Sequence, residues 1–360
     1  ISINYPLSSN RTSMPLDLPT FQIQRQYVEH FHCTINEMYP ILPSTYPSTF
    51  SVSLMSDESL ALFYTVLSLG CQAHNFVSYK TEHETLASDL LTAAETHLHR
   101  TPFLLRPSAG TIRTLCLMVI AKQIYAMSCH QSDTCWHLTG LALRMSISIN
   151  LAETDPDVWA LVCLLDMRQS LACGMPLLLR QDDISLFWES DAPRKTLLQE
   201  TFFTAGESIF SALQLASATP TPPQVLELDT ALRQQPRTTS SLEAIGIDIF
   251  LRQVLLALHA SCTAYPISHL ESALSLLSHQ RTLCEDAESR QSCWLAGFFR
   301  HEFFTAAMTV CVHLVQGTGD NDPHARSIMV DALRSCSNIW ARETCASVCN
   351  ASAFAIVDKL

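Results

Sequence analysis

The chain has 360 residues, of which only 9 are glycine, 48% are hydrophobic and 16% are charged. That composition excludes a disordered chain, which lacks the apolar side chains for a core, and a glycine-rich fibrous one. A formal charge of −12, from 22 Lys+Arg against 34 Asp+Glu, argues against this segment gripping nucleic acid by itself, because phosphate affinity rests on Lys and Arg releasing counterions.

Residues 1–20 carry Pro6, Pro15 and Pro19 among Ser and Asn and read as a linker or extended lead-in. They lack the charged-then-apolar layout of a signal peptide. A first helix is predicted from Phe21 to Met38, stopped by Tyr39-Pro40. Pro40, Pro43 and Pro47 then forbid regular helix up to Phe50. Ser56 or Asp57 can cap a helix to about Ser78, and others follow over 82–99, 108–130 and 133–149. Asp155-Pro156 is a strong start signal, since Asp caps and Pro at the first helical position has no N–H to lose. That helix runs to about Ala172 and stops at Gly174 and Pro176.

The acidic stretch from Gly174 to Pro193 reads as an irregular loop. Further helices are predicted over 194–216, 223–235, 241–263, 266–284, 288–316 and 322–350. In the third of these, Leu251, Val254, Leu255, Leu258 and Cys262 fall at i, i+3, i+4, i+7 and i+11, one face of a helix. The stretch from Trp294 to Val315 is apolar on nearly every side, which places it at the centre of a bundle. No alternating strand pattern and no repeat of fixed period appear. The expected fold is therefore all-α: one compact domain over 21–360, a large bundle of about twelve helices.

The 14 cysteines include no C-x-x-C pair, so the zinc-ribbon and thioredoxin readings lack their signature. Most sit in apolar helical runs, as reduced, buried thiols do, which fits an intracellular compartment. Cys129, His130, Cys135 and His137 bracket one turn, but the spacing is unusual and His137 falls beyond a helix start, so no metal is assigned. His301-Glu302 begins like H-E-x-x-H, yet Thr305 occupies the fifth position and a zincin is excluded. No stretch of about 18 uninterrupted apolar residues occurs, so no membrane span is expected. No phosphate-cradling glycine loop or nucleophile elbow is present either, and no catalytic residue or cofactor is assigned.

Three segments nevertheless form an ordered pattern. The first is Phe31…Asn36-Glu37-Met38-Tyr39-Pro40-Ile41-Leu42…Phe50. The second is Trp136-x-x-x-Gly140-x-Ala142-x-Arg144. The third is Trp159…Leu165-Asp166…Ser170…Gly174-Met175-Pro176…Asp183-Ile184. Over residues 25–190 their order and spacing resemble the fungus-specific regulatory domain of zinc-cluster transcription factors, the middle homology region. The structural motif of that family maps here onto Trp136, Gly140, Arg144, Asp166, Gly174 and Pro176. The family's usual Arg in G-R-P is Met175, its G-L-H is Asn150-Leu151-Ala152, and no binuclear zinc cluster of six cysteines is present.

The resemblance implies a nuclear regulator of gene expression, in a secondary-metabolite pathway or elsewhere. It also implies a partner: an apolar small molecule to sense, a second copy of the chain, or a transcriptional co-regulator. The departures keep a second expectation open, a stand-alone, cytoplasmic relative that binds or converts a hydrophobic small molecule. Side chains expected to touch such a molecule are His137, Arg144, Asp166, Trp294, His301 and Glu302; for conversion, His137, Asp166, His301 and Glu302 are the groups to test. Gly140, mid-helix, implies a close helix–helix crossing. Asp166, among leucines, implies a partner, for which Arg144 is the expectation.

Overall fold

A computed structural model of the chain describes residues 18–43, 46, 55–78, 84–125, 132–189, 195–234, 241–262, 264–285, 293–317, 322–342 and 354–357. In chain order the helices are α1 (Phe21–His32), α2 (Ile35–Met38), α3 (Asp57–Ser78), α4 (Glu84–Arg100), α5 (Ala109–Tyr125), α6 (Ser132–Ser148), α7 (Leu151–Thr154) and α8 (Pro156–Cys173). The second half adds α9 (Gln181–Glu189), α10 (Leu197–Ala216), α11 (Pro222–Arg233), α12 (Leu242–Ala260), α13 (Pro266–Glu285), α14 (Cys293–Phe298), α15 (Arg300–Val315) and α16 (Pro323–Arg342). No strand occurs among the described residues, and the fold is all-α. The lead-in at 1–17, Cys129 and His130, and the expected helix end at 343–350 lie outside the described residues.

Helix ends follow local chemistry. Ser56 Oγ accepts from Ser59 N at the start of α3, and Ser108 Oγ accepts from Thr111 N at the start of α5. Asp155 caps α8 by accepting from Val158 N, with Pro156 at the first position, and Gly174 ends the helix in the left-handed region at φ 63°. Glycine adopts that conformation without the Cβ cost of other residues. Thr196 and Gln199 form a capping box on α10.

Three expected elements differ. The helix predicted over 21–38 breaks between α1 and α2, where Thr34 turns its hydroxyl back to the His30 carbonyl. The loop predicted after Gly174 contains α9. Asp183 Oδ2 accepts from Arg180 N at its start, and two carboxylates in the first turn suit the helix dipole. The long helix expected over 288–316 is described as α14 and α15, split at Phe299, whose backbone leaves helical geometry.

Two groups of helices share one continuous apolar core. In the first, α3 packs against α1, α4 and α5, and α6 against α5 and α8. In the second, α12 packs against α10 and α13, and α13 against α15 and α16. The groups meet where α14 touches α3 and α5, α10 touches α8, and α2 touches α12. The stripe expected on α12 is buried as predicted at Leu251, Val254, Leu255 and Leu258. α3 crosses α1 closely at Gly70, where a Cβ would fall on the Tyr27 carbonyl.

Candidate functional site

The seam between the two groups holds a buried ion pair. Arg168 sits in the middle of α8, where every residue from Val158 to Ser170 is buried. Its guanidinium donates from Nε (3.1 Å) and from Nη2 (2.7 Å) to the same oxygen, Oε1 of Glu302 on α15, 134 residues later. Nη2 also donates to the Phe298 carbonyl at 3.1 Å, and Nη1 reaches Gln123 Oε1 of α5 at 3.4 Å. The guanidinium carbon lies 3.8 Å from the Phe298 ring centroid and 4.6 Å from that of Phe299, within cation–π range. Arg168 and Glu302 are each 5% exposed.

Phe298 is the hub of an aromatic cluster. Its ring stands 6.0 Å from Tyr39, 6.3 Å from Trp294 and 5.0 Å from Phe299, all tilted or edge-on, as ring quadrupoles prefer. The residue order explains this gathering. Tyr39 closes α2 just before Pro40, and Trp294 and Phe298 are one helical turn apart on α14. Burial pushes the Tyr39 phenol above its ordinary range, with Arg168 pulling the other way. The ring therefore stays protonated. Two polar atoms here are buried without a hydrogen-bond partner: the acceptor Glu302 Oε2 and the donor Trp294 Nε1. The guanidinium offers five N–H donors and no acceptor, so Arg168 serves here as a fixed hydrogen-bond donor to the acceptors around it.

Gly140, Asp166, Ser170, Gly174 and Pro176 assemble at a second joint, without Trp136 and Arg144. Asp166, fully buried on α8, accepts at Oδ2 from the backbone N–H groups of Leu178 and Leu179, each at 3.0 Å. Ser170 Oγ donates to the Pro176 carbonyl at 3.3 Å. The end of the Leu178 side chain comes within 2.8 Å of where a Cβ at Gly140 would stand. Gly140, Asp166, Ser170, Gly174 and Pro176 thus fold the segment after α8 back onto α6 and α8. Burial pushes the Asp166 carboxyl up to about 6 against the pull of the two N–H groups.

The structure separates several residues that the sequence grouped. Arg144 is exposed on α6, and Asp166 takes its hydrogen bonds from backbone instead, so the expected pair does not form. Gly140 is approached by an extended segment rather than by a crossing helix. His137 is exposed, its ring centre 5.3 Å from that of half-buried Trp136. His301 is exposed while its neighbour Glu302 is buried, so they do not act as a pair. Of the expected ligand-touching residues, only Trp294 and Glu302 meet at one site. Arg168, Gln123 and the role of Tyr39 were missed. The signal available was the single basic residue of α8, Arg168, two positions after Asp166 in a run whose every residue from Val158 to Ser170 is buried.

A third polar cluster runs along α11, α12, α13 and α15. His259 shares a 2.7 Å hydrogen bond with Asp229, which also binds Arg233, and His279 binds Asp248 at 2.7 Å. Burial alone would raise the Asp229 carboxyl, but hydrogen bonds from His259 and Arg233 outweigh it and hold the group below its usual range. Beside this cluster His313 Nε2 lies 3.1 Å from His269 Nδ1, and between α1 and α3 His74 Nδ1 lies 3.0 Å from His30 Nε2. A hydrogen bond between two imidazoles needs one neutral ring as acceptor. Burial, then the charges of His313 and His259, push His269 down to about 4 from 6.5.

The folded chain therefore binds fewer protons at His269 than the unfolded chain between those values. Stability from this group is complete above about pH 6.5 and is lost as pH falls toward 4. Urea midpoints at pH 7 and pH 5 should show a His269→Gln variant losing less on acidification than the parent, by on the order of 1–2 kcal/mol for a half-buried ring. Equal losses in the two proteins would refute this assignment.

Among the described residues no helix is long and apolar enough to cross a membrane, and no group of three or more His, Cys, Asp or Glu side chains could hold a metal ion. Comparison with protein-family models, with curated proteins and with solved structures finds no match to this chain.

Proposed function

We propose that the chain is a helical regulatory domain of the fungal zinc-cluster transcription-factor type, acting in the nucleus on gene expression and sensing a small apolar molecule. The observation that supports this reading is the joint at Asp166. Gly140, Asp166, Ser170, Gly174 and Pro176 follow the family-like pattern, and they serve a single folding-back of the segment after α8. Ligand binding would act by favouring one packing of the two helix groups over another, which requires a ligand at the seam that both groups share. A control region held across such a seam can be biased by a few contacts.

Fusion of the chain to an unrelated DNA-binding domain, read on a reporter in a fungal host, is expected to raise or lower transcription severalfold against the DNA-binding domain alone. No change in either direction counts against the reading. A second reading, a metabolic relative that binds or converts a hydrophobic molecule, is favoured by the unpartnered carboxylate oxygen in the aromatic cluster. The gene separates the two. Six clustered cysteines encoded upstream of Ile1 support the regulator, and a start codon directly before Ile1 supports the metabolic relative.

A further inference from the structure

We infer that the aromatic cluster at the seam is a recognition site for a neutral, hydroxyl-bearing aromatic molecule, seated beside Phe298 between Glu302 Oε2 and Trp294 Nε1. The inference deepens the sensing part of the reading above and rests on it. Arg168 spends two donors on a single oxygen of Glu302 and leaves the other oxygen bare at 5% exposure. A buried polar atom without a partner is costly, and native structures rarely keep one unless something else serves it. Trp294, 1% exposed and with its ring centre 6.3 Å from that of Phe298, leaves its only side-chain donor equally bare.

The chemistry of the ligand follows from these two atoms and their surroundings. Oε2 needs a donor and Nε1 needs an acceptor, and a hydroxyl group is both. Arg168 and Glu302 cancel each other's charge, so an ionised ligand would enter an apolar site uncompensated. A carboxylate would also face the bare oxygen of Glu302. The side chains packed around Phe298 are rings (Tyr39, Phe299 and the Trp294 indole), and such neighbours favour a flat, apolar body over a sugar or a peptide.

The test uses the full chain and a graded series of aryl alcohols, phenol, benzyl alcohol and 2-naphthol, each beside its hydrocarbon without the hydroxyl: benzene, toluene and naphthalene. Calorimetric titration is expected to show saturable binding of at least one alcohol, about 10- to 100-fold tighter than its hydrocarbon, the ratio a hydrogen bond to a charged acceptor supplies. A Trp294→Phe variant, which keeps the ring and loses the N–H, should lose several-fold in affinity for the alcohol and little for the hydrocarbon. Equal affinities for alcohol and hydrocarbon, or no saturable binding of any member, overturn the proposal; in the second case water serves both atoms. The wild-type comparison decides the matter even if the variant folds poorly. Failure here leaves the reporter result standing, and a silent reporter leaves the binding result standing, so the two readings fail separately.

Discussion

Replacing Arg168 by Met is expected to cost about 3–5 kcal/mol of stability, because it strands the Glu302 carboxylate in the core without a counter-charge. Glu302→Leu should cost about as much by stranding the guanidinium. The double variant Arg168→Met/Glu302→Leu should recover most of the loss, since two apolar side chains of similar volume need no partners. The residual deficit comes from the cation–π contacts on Phe298 and Phe299 and from the lost bond to the Phe298 carbonyl. Urea denaturation of the four proteins gives the coupling energy directly. A double variant as unstable as the sum of the single ones would show that the ion pair contributes nothing beyond packing.

That pair is also where the two helix groups are tied by charge. Arg168 belongs to α8 of the first group, and Glu302 and the Phe298 carbonyl belong to the second. Replacing the pair by apolar residues therefore separates two properties. Stability recovers, while the geometric constraint that holds α15 at one register against α8 is gone. In a protein that works by shifting its packing, the double variant should fold well and respond poorly. The reporter fusion reads that response.

The helical class was legible in the sequence because apolar spacing and helix ends are local signals. Asp155-Pro156 and Gly174 mark both ends of α8 through capping and backbone chemistry that involve only neighbours in the chain. What failed was long-range. The partner of Asp166 was sought among charged side chains and proved to be two backbone N–H groups, which every residue carries and no pattern advertises. The acidic stretch after Gly174 reads as an irregular loop, yet α9 forms within it, because at a helix start Asp182 and Asp183 are stabilising. His301 and Glu302 were grouped as neighbours in sequence. Helical geometry turns adjacent side chains about 100° apart, so one faces solvent and the other the core. Arg168 was passed over because its partner lies 134 residues away.

Asp166→Ala is expected to lose about 2–5 kcal/mol, since the N–H groups of Leu178 and Leu179 would both be left buried without an acceptor. Asp166→Asn should stay close to the parent at pH 7. Its amide oxygen can take the place of Oδ2, which already serves both donors, and no charge then needs to be buried. Arg144→Ala, at an exposed position, should change stability by less than about 0.5 kcal/mol. The pH dependence separates the acceptor role from a charge role. The folded carboxyl keeps its proton up to about pH 6 and the unfolded one only to 3.8, so folding takes up a proton between those values. Stability from this group is greatest below 3.8 and declines as pH rises through 6. The Asn variant, close to the parent at pH 7, should accordingly fall below it by about 1–3 kcal/mol at pH 4. An Asn variant as unstable as the Ala variant at pH 7 would mean that the negative charge itself holds the segment after α8 in place. The family-like pattern would then encode an electrostatic latch rather than a backbone acceptor.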